Sequence, residues 1–124
     1  MKTRTTTMLS SAIESATGVA LLAVPDLVAR VLLGTGLSDS GSAVARLAGC
    51  GLLSLGLACW PSGDEPTPNA TRALFIYNLL AGFYLGYLRV GGGFVSFLLW
   101  PACFVHVALA VLLARPALRA VKPE

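Results

Sequence analysis

Glu14, Asn78 and His106 each interrupt a run of apolar residues, and Ser54 does the same more mildly. A carboxylate, an amide, an imidazole and a hydroxyl gathered in a low-dielectric layer could bind or pass a proton, or hold the head of a small polar or lipid-like ligand. A lone charge at mid-membrane costs at least ~2.5 to 3.5 kcal/mol on insertion scales, so Glu14 either keeps its proton or sits beside hydrogen-bond donors. His106 and Asn78 are suitable donors. A second group, Arg46 with Tyr84 and Tyr87, falls toward the opposite side of the apolar layer. It could hold an anionic headgroup or a quinone, or anchor the chain at the interface.

Each residue also has a purely structural reading. Glu14 could fasten the first helix as a protonated hydrogen-bonding group, Asn78 could be interhelical glue, and His106 a packing residue. His106 is the single histidine, which excludes haem held by two histidines of one chain. Cys50, Cys59 and Cys103 form no CxxC pair and read as small buried hydrophobes. Gly91, Gly92 and Gly93 lack the lysine and the strand–helix context of a phosphate loop. With no nucleophile beside a base and no cluster of metal ligands, the expectation is a protein that is not an enzyme and carries no cofactor or metal.

The elements that position these residues follow from composition. The chain has 124 residues, 56% hydrophobic and 12% charged, with a mean hydropathy of +0.77. One domain of this size cannot hide that much apolar surface from water, so the class is integral membrane protein. The net charge of +3 sits mainly at the ends of apolar runs, and no basic patch alternates with stacking aromatics. That excludes a nucleic-acid surface and makes the bilayer the first partner.

About 20 apolar residues cross ~30 Å of hydrocarbon, and four stretches qualify: residues 7–24, 42–60, 70–88 and 94–114. Lys2 and Arg4 before the first run imitate a signal peptide, but Glu14 would fall inside its apolar part, so the run reads as a retained helix. Pro25 should end it, leaving 26–34 as a short interfacial helix. Asn69 should cap the third span, and Pro101 should kink the fourth. The expected fold is thus an all-α, antiparallel bundle of four transmembrane helices in a single domain. Lys2, Arg4, Arg72, Arg115, Arg119 and Lys122 would share one side and Arg30, Arg46 and Arg89 the other. Six against three places both termini in the cytoplasm of a bacterial inner membrane.

Residues three or four apart share a helix face, which gives each span one polar line: Ser11, Glu14, Ser15 and Gly18; Arg46, Cys50 and Ser54; Asn78 with Gly82 and Gly86; Cys103 and His106. At ~1.5 Å per residue, Glu14, Ser54, Asn78 and His106 reach similar depth, while Arg46, Tyr84 and Tyr87 form a separate outer layer. Small residues at spacing four, such as Ala45 with Gly49 and Gly82 with Gly86, favour tight helix contacts within the bundle or in a homodimer.

The order of features, with Glu in the first span, LVARVLLG after a proline, ARLAGCGLLSLGLACW, YNLLAGFYLGY and PACFVHVALAVLL, resembles the small four-helix bacterial membrane proteins around the DoxX-like group. The best match is Arg46 to Trp60. The resemblance implies a four-helix antiparallel bundle and, in some members, a place as a small membrane subunit beside a redox complex. Glu14 also matches the membrane-embedded glutamate of small multidrug resistance transporters, whose GxxxxxK continuation is absent here. Three functions follow as expectations: a non-enzymatic accessory subunit or ligand binder built on the inward polar layer, a proton-coupled transporter with Glu14 as coupling carboxylate, or an oxidoreductase subunit with quinone near Arg46 and Tyr84.

Overall fold

The computed structural model describes residues 1–119, so the last five residues of the basic tail, Lys122 among them, lie outside the described residues. Five helices follow one another: α1 (Thr3–Ala23), α2 (Pro25–Leu33), α3 (Asp39–Ala58), α4 (Pro68–Val90) and α5 (Leu99–Arg119). No strand occurs among the described residues. Three helices, α3, α4 and α5, are each long and apolar enough to cross a membrane. Helix α1 meets that measure only together with α2, from which it is bent by 117°.

The boundaries have local causes. Pro25 cannot donate a backbone hydrogen bond but suits the first position of a new helix, so α1 stops at Ala23 and the chain turns at Val24 before α2. Gly34 ends α2 in the left-handed conformation, φ 78°, that a side chain disfavours. Ser38 caps α3 by accepting the Gly41 N–H at 3.1 Å. Thr67, not Asn69, caps α4, accepting the Ala70 N–H at 3.2 Å, because Pro68 takes the first helical position.

The fourth span begins later than its hydropathy suggests. Residues 94–98 are not helical, and Ser96 Oγ donates to the Val31 carbonyl of α2 at 2.5 Å. Pro101, expected to kink the middle of the span, consequently lies in the first turn of α5, where a missing N–H costs nothing. At its other end α5 runs past Arg115 through Pro116 to Arg119.

The most extensive contacts pair α1 with α3 and α4 with α5, and α1 joins the pairs through smaller contacts with α4 and α5. Arg4 Nε donates to the Gly63 carbonyl at 3.0 Å, so the start of α1 and the α3–α4 loop share one end. The bond from Ser96 to Val31 brings α2 and the α4–α5 loop together at the other. The α1–α3 contact depends on missing side chains. A Cβ on Gly18 would lie 2.5 Å from the Leu53 backbone N, and one on Gly49 would lie 2.8 Å from the Gly18 carbonyl oxygen. Gly82 lets α5 approach α4 in the same way, at Val107.

Polar and apolar side chains share the interior: Leu74, Leu99 and Leu113 are fully buried, and so are Glu14 and Asn78. The buried face of α1 contains only Thr6, Thr7, Ser10, Ser11, Glu14 and Gly18. Phe83, Phe97, Leu47 and Val111 are largely exposed. Polar groups that lipid cannot satisfy turn inward, while many large apolar ones remain on the surface.

Candidate functional site

Three helices place Glu14, Asn78 and His106 together. Glu14 and Asn78 are fully buried on α1 and α4, and His106 on α5 is mostly covered, its side chain 13% exposed. Asn78 is the hub. Its Nδ2 donates to Ser10 Oγ on α1 at 2.8 Å and to the carbonyl of Leu74 on its own helix at 2.9 Å. Its Oδ1 lies 2.8 Å from His106 Nδ1.

The proton arrangement follows. A carbonyl can only accept, so the bond to Leu74 fixes which end of the Asn78 amide is nitrogen. Oδ1 can also only accept, so Nδ1 of neutral His106 carries the hydrogen. Nε2 is left with a bare lone pair and takes no hydrogen bond among the described residues.

Glu14 Oε1 stands 3.9 Å from His106 Nδ1, beyond hydrogen-bond range but within reach of a charge pair if the imidazole gained a proton. The Tyr77 hydroxyl also approaches the Glu14 carboxyl, without the geometry of a completed hydrogen bond. Its ring meets His106 edge to face, with centroids 5.8 Å apart. Both carboxyl oxygens of Glu14, with Ser11 Oγ and Ser15 Oγ, are buried without a hydrogen-bond partner. Burying an ionised carboxylate without a donor is costly, so these two oxygens call for a hydrogen-bond donor or a proton.

His106 also borders a pocket of about 570 Å³ between α1, α2 and α5. Ile13 and Thr17 line it from α1, Leu27 and Val31 from α2, and Val105 beside His106 from α5. Apart from Thr17 and His106, every lining side chain is apolar. His106 lies seven residues after Leu99, roughly 10 Å from the start of α5 at ~1.5 Å per residue, so it marks the inner end of the pocket.

Other expected positions fall elsewhere. Ser54 is exposed on α3, its hydroxyl donating to the carbonyl of Cys50 at 2.7 Å, and does not join the layer. The face of α3 that meets α1 is that of Gly49 and Gly56, which turns Ser54 away. The outer layer does not assemble either. Arg46 is exposed on α3, while Tyr84 and Tyr87 are 61% and 60% exposed on α4 and stack on each other. Since α3 pairs with α1 and α4 with α5, these groups are on different helix pairs. Ser10 and Tyr77 belong to the cluster although neither was expected. Ser10 is one turn before Glu14 on α1, a spacing visible in the sequence; Tyr77 carries no such signal.

The cysteines have no metal-site geometry: Cys103 Sγ donates to the Gly82 carbonyl at 3.3 Å, and Cys50 is exposed. No group of three or more metal-ligating side chains occurs among the described residues. No family model matches this chain, and comparison with curated proteins and with solved structures finds no match.

Proposed function

We propose that this chain is a four-span, non-enzymatic inner-membrane protein that binds an amphiphile whose head donates a hydrogen bond. The α1–α2 pair then counts as one crossing with α2 lying at the interface, and the positive charges keep both termini in the cytoplasm. One observation carries the ligand class: an apolar pocket ends on an imidazole whose Nδ1 is committed to Asn78. The free lone pair of Nε2 favours an alcohol, phenol or hydroquinone head over an ether or a quaternary ammonium group. The tail would occupy the space between α2 and α5. A hydroquinone belongs to this class, so a place beside a redox complex, as in some DoxX-like proteins, would use His106 and not Arg46 with Tyr84.

The test uses a photoreactive diazirine analogue of 1-dodecanol with protein in nanodiscs. Labelling is expected on pocket residues such as Val31 and Val105, with stronger protection by 1-dodecanol than by its methyl ether, and with an about 2- to 10-fold reduction in His106→Phe. Labelling spread over lipid-facing residues such as Phe83 and Val111, unchanged in His106→Phe, would refute the proposal.

A further inference from the structure

A second feature reaches Glu14 from the opposite end. The buried polar residues among those described are Thr6, Thr7, Ser10, Ser11, Glu14, Thr71 and Asn78. They run from the end that carries the chain start to the middle of the helices. At that end a polar depression is lined by Lys2, Thr3, Arg4, Thr5, Asp64 and Glu65. Beyond Glu14 the line stops at Gly18, whose Cα faces Leu53 and Gly49 so closely that not even a methyl group fits.

We propose that this line is a one-ended proton path, through which the Glu14 carboxyl exchanges its proton with water at the end where α1 begins. The spacing fits a relay with water. Thr7 to Ser11 is four residues and Ser11 to Glu14 three, a rise of ~6 and ~4.5 Å. Two hydrogen bonds through one water span about 5.6 Å. Buried water fills groups that lack partners, and Ser11 Oγ, Ser15 Oγ and both Glu14 oxygens are such groups. Thr7 Oγ1 donates to the Thr3 carbonyl at 3.0 Å and Thr71 Oγ1 to the Thr67 carbonyl at 3.2 Å, which leaves the lone pairs of both hydroxyls free to accept. In each exchange one oxygen of Glu14 receives a proton from the last water as the acid proton leaves on the same chain, so no net charge enters the protein.

The groups facing Glu14 are His106 from α5 and Tyr77 with Asn78 from α4; α3 presents glycine and leucine backbone. A bound head at His106 would therefore be one imidazole away from an exchangeable proton. The path rests on the membrane-spanning reading of the fold and not on occupancy of the pocket.

Infrared spectroscopy in nanodiscs after transfer to D2O tests it, with the Glu14 carbonyl band identified as the one lost in Glu14→Gln. Thr7→Val with Ser11→Ala is expected to slow deuteration of that band about tenfold, equivalent to about 1.4 kcal/mol on the barrier. Ser11→Thr alone, which keeps a hydroxyl, should retain the wild-type rate. Ser54→Ala, which removes an exposed hydroxyl of α3 away from the line, should leave the rate unchanged. A wild-type rate in the double variant, or slowing by Ser54→Ala, would overturn the path. Neither outcome bears on whether the dodecanol probe binds, so this idea and the pocket proposal fail separately.

Discussion

Replacing Asn78 with Ala removes a side chain that hydrogen-bonds α4 to both α1 and α5. Side-chain hydrogen bonds between transmembrane helices average ~0.6 kcal/mol and reach ~1.7, so losing two predicts destabilisation of about 1 to 3 kcal/mol. Alanine recovers part of this through its better helix propensity, up to ~0.7 kcal/mol, which makes the single variant an impure measure. A double-mutant cycle with Ser10→Ala cancels that gain. The coupling between the two positions should fall between about 0.6 and 1.7 kcal/mol. The assay is reversible unfolding in bicelles followed by circular dichroism. Ser54→Ala serves as control and should stay within ~0.5 kcal/mol of wild type, since that hydroxyl is exposed and bonds only its own helix. A coupling of zero between Asn78 and Ser10 would refute the idea that the amide fastens α4 to α1.

Further outcomes follow from other contacts. Gly18→Ala and Gly49→Ala should each cost about 1 to 3 kcal/mol in the same unfolding assay, as overpacking usually does, because the added carbon meets backbone on the facing helix. His106→Phe should weaken binding of 1-dodecanol by about 2- to 10-fold, the loss of one neutral hydrogen bond of ~0.5 to 1.5 kcal/mol. At the α2 interface, the Arg30 guanidinium and then the Leu37 N–H hold the Asp26 carboxyl below its usual range. A lowered folded value contributes stability above the ordinary 3.8 of the free group, lost as pH falls through the lower folded value. Hydrogen exchange at the Leu37 amide should therefore stay slow at neutral and mildly acid pH and accelerate only below about pH 4; acceleration near pH 6 would contradict this.

The sequence made the polar layer partly legible because helical spacing and depth are simple geometry. Glu14, Asn78 and His106 each occupy the buried line of their helix, and counting residues along the spans brings them to one level. Ser54 failed because depth says nothing about rotation: Gly49 and Gly56 set which face of α3 meets α1, and Ser54 points elsewhere. The Arg46, Tyr84 and Tyr87 layer failed for another reason, since hydropathy does not say which helices pair. The pocket was invisible for a related cause. It exists because the chain bends at Val24 and α2 folds across to the α4–α5 loop, a tertiary arrangement that Pro25 permits but does not specify. The late start of α5 was hidden by Phe94, Val95 and Phe97, which extend the apolar run without being helical.

His106 is the single histidine, so selective nitrogen-15 labelling yields one imidazole with two assignable resonances. In nanodiscs the account predicts a neutral ring with its hydrogen on Nδ1, and a shift of the Nε2 resonance when 1-dodecanol is added but not when its methyl ether is added. A ring protonated on Nε2, or an Nε2 resonance unmoved by an alcohol shown to label the pocket, would contradict it.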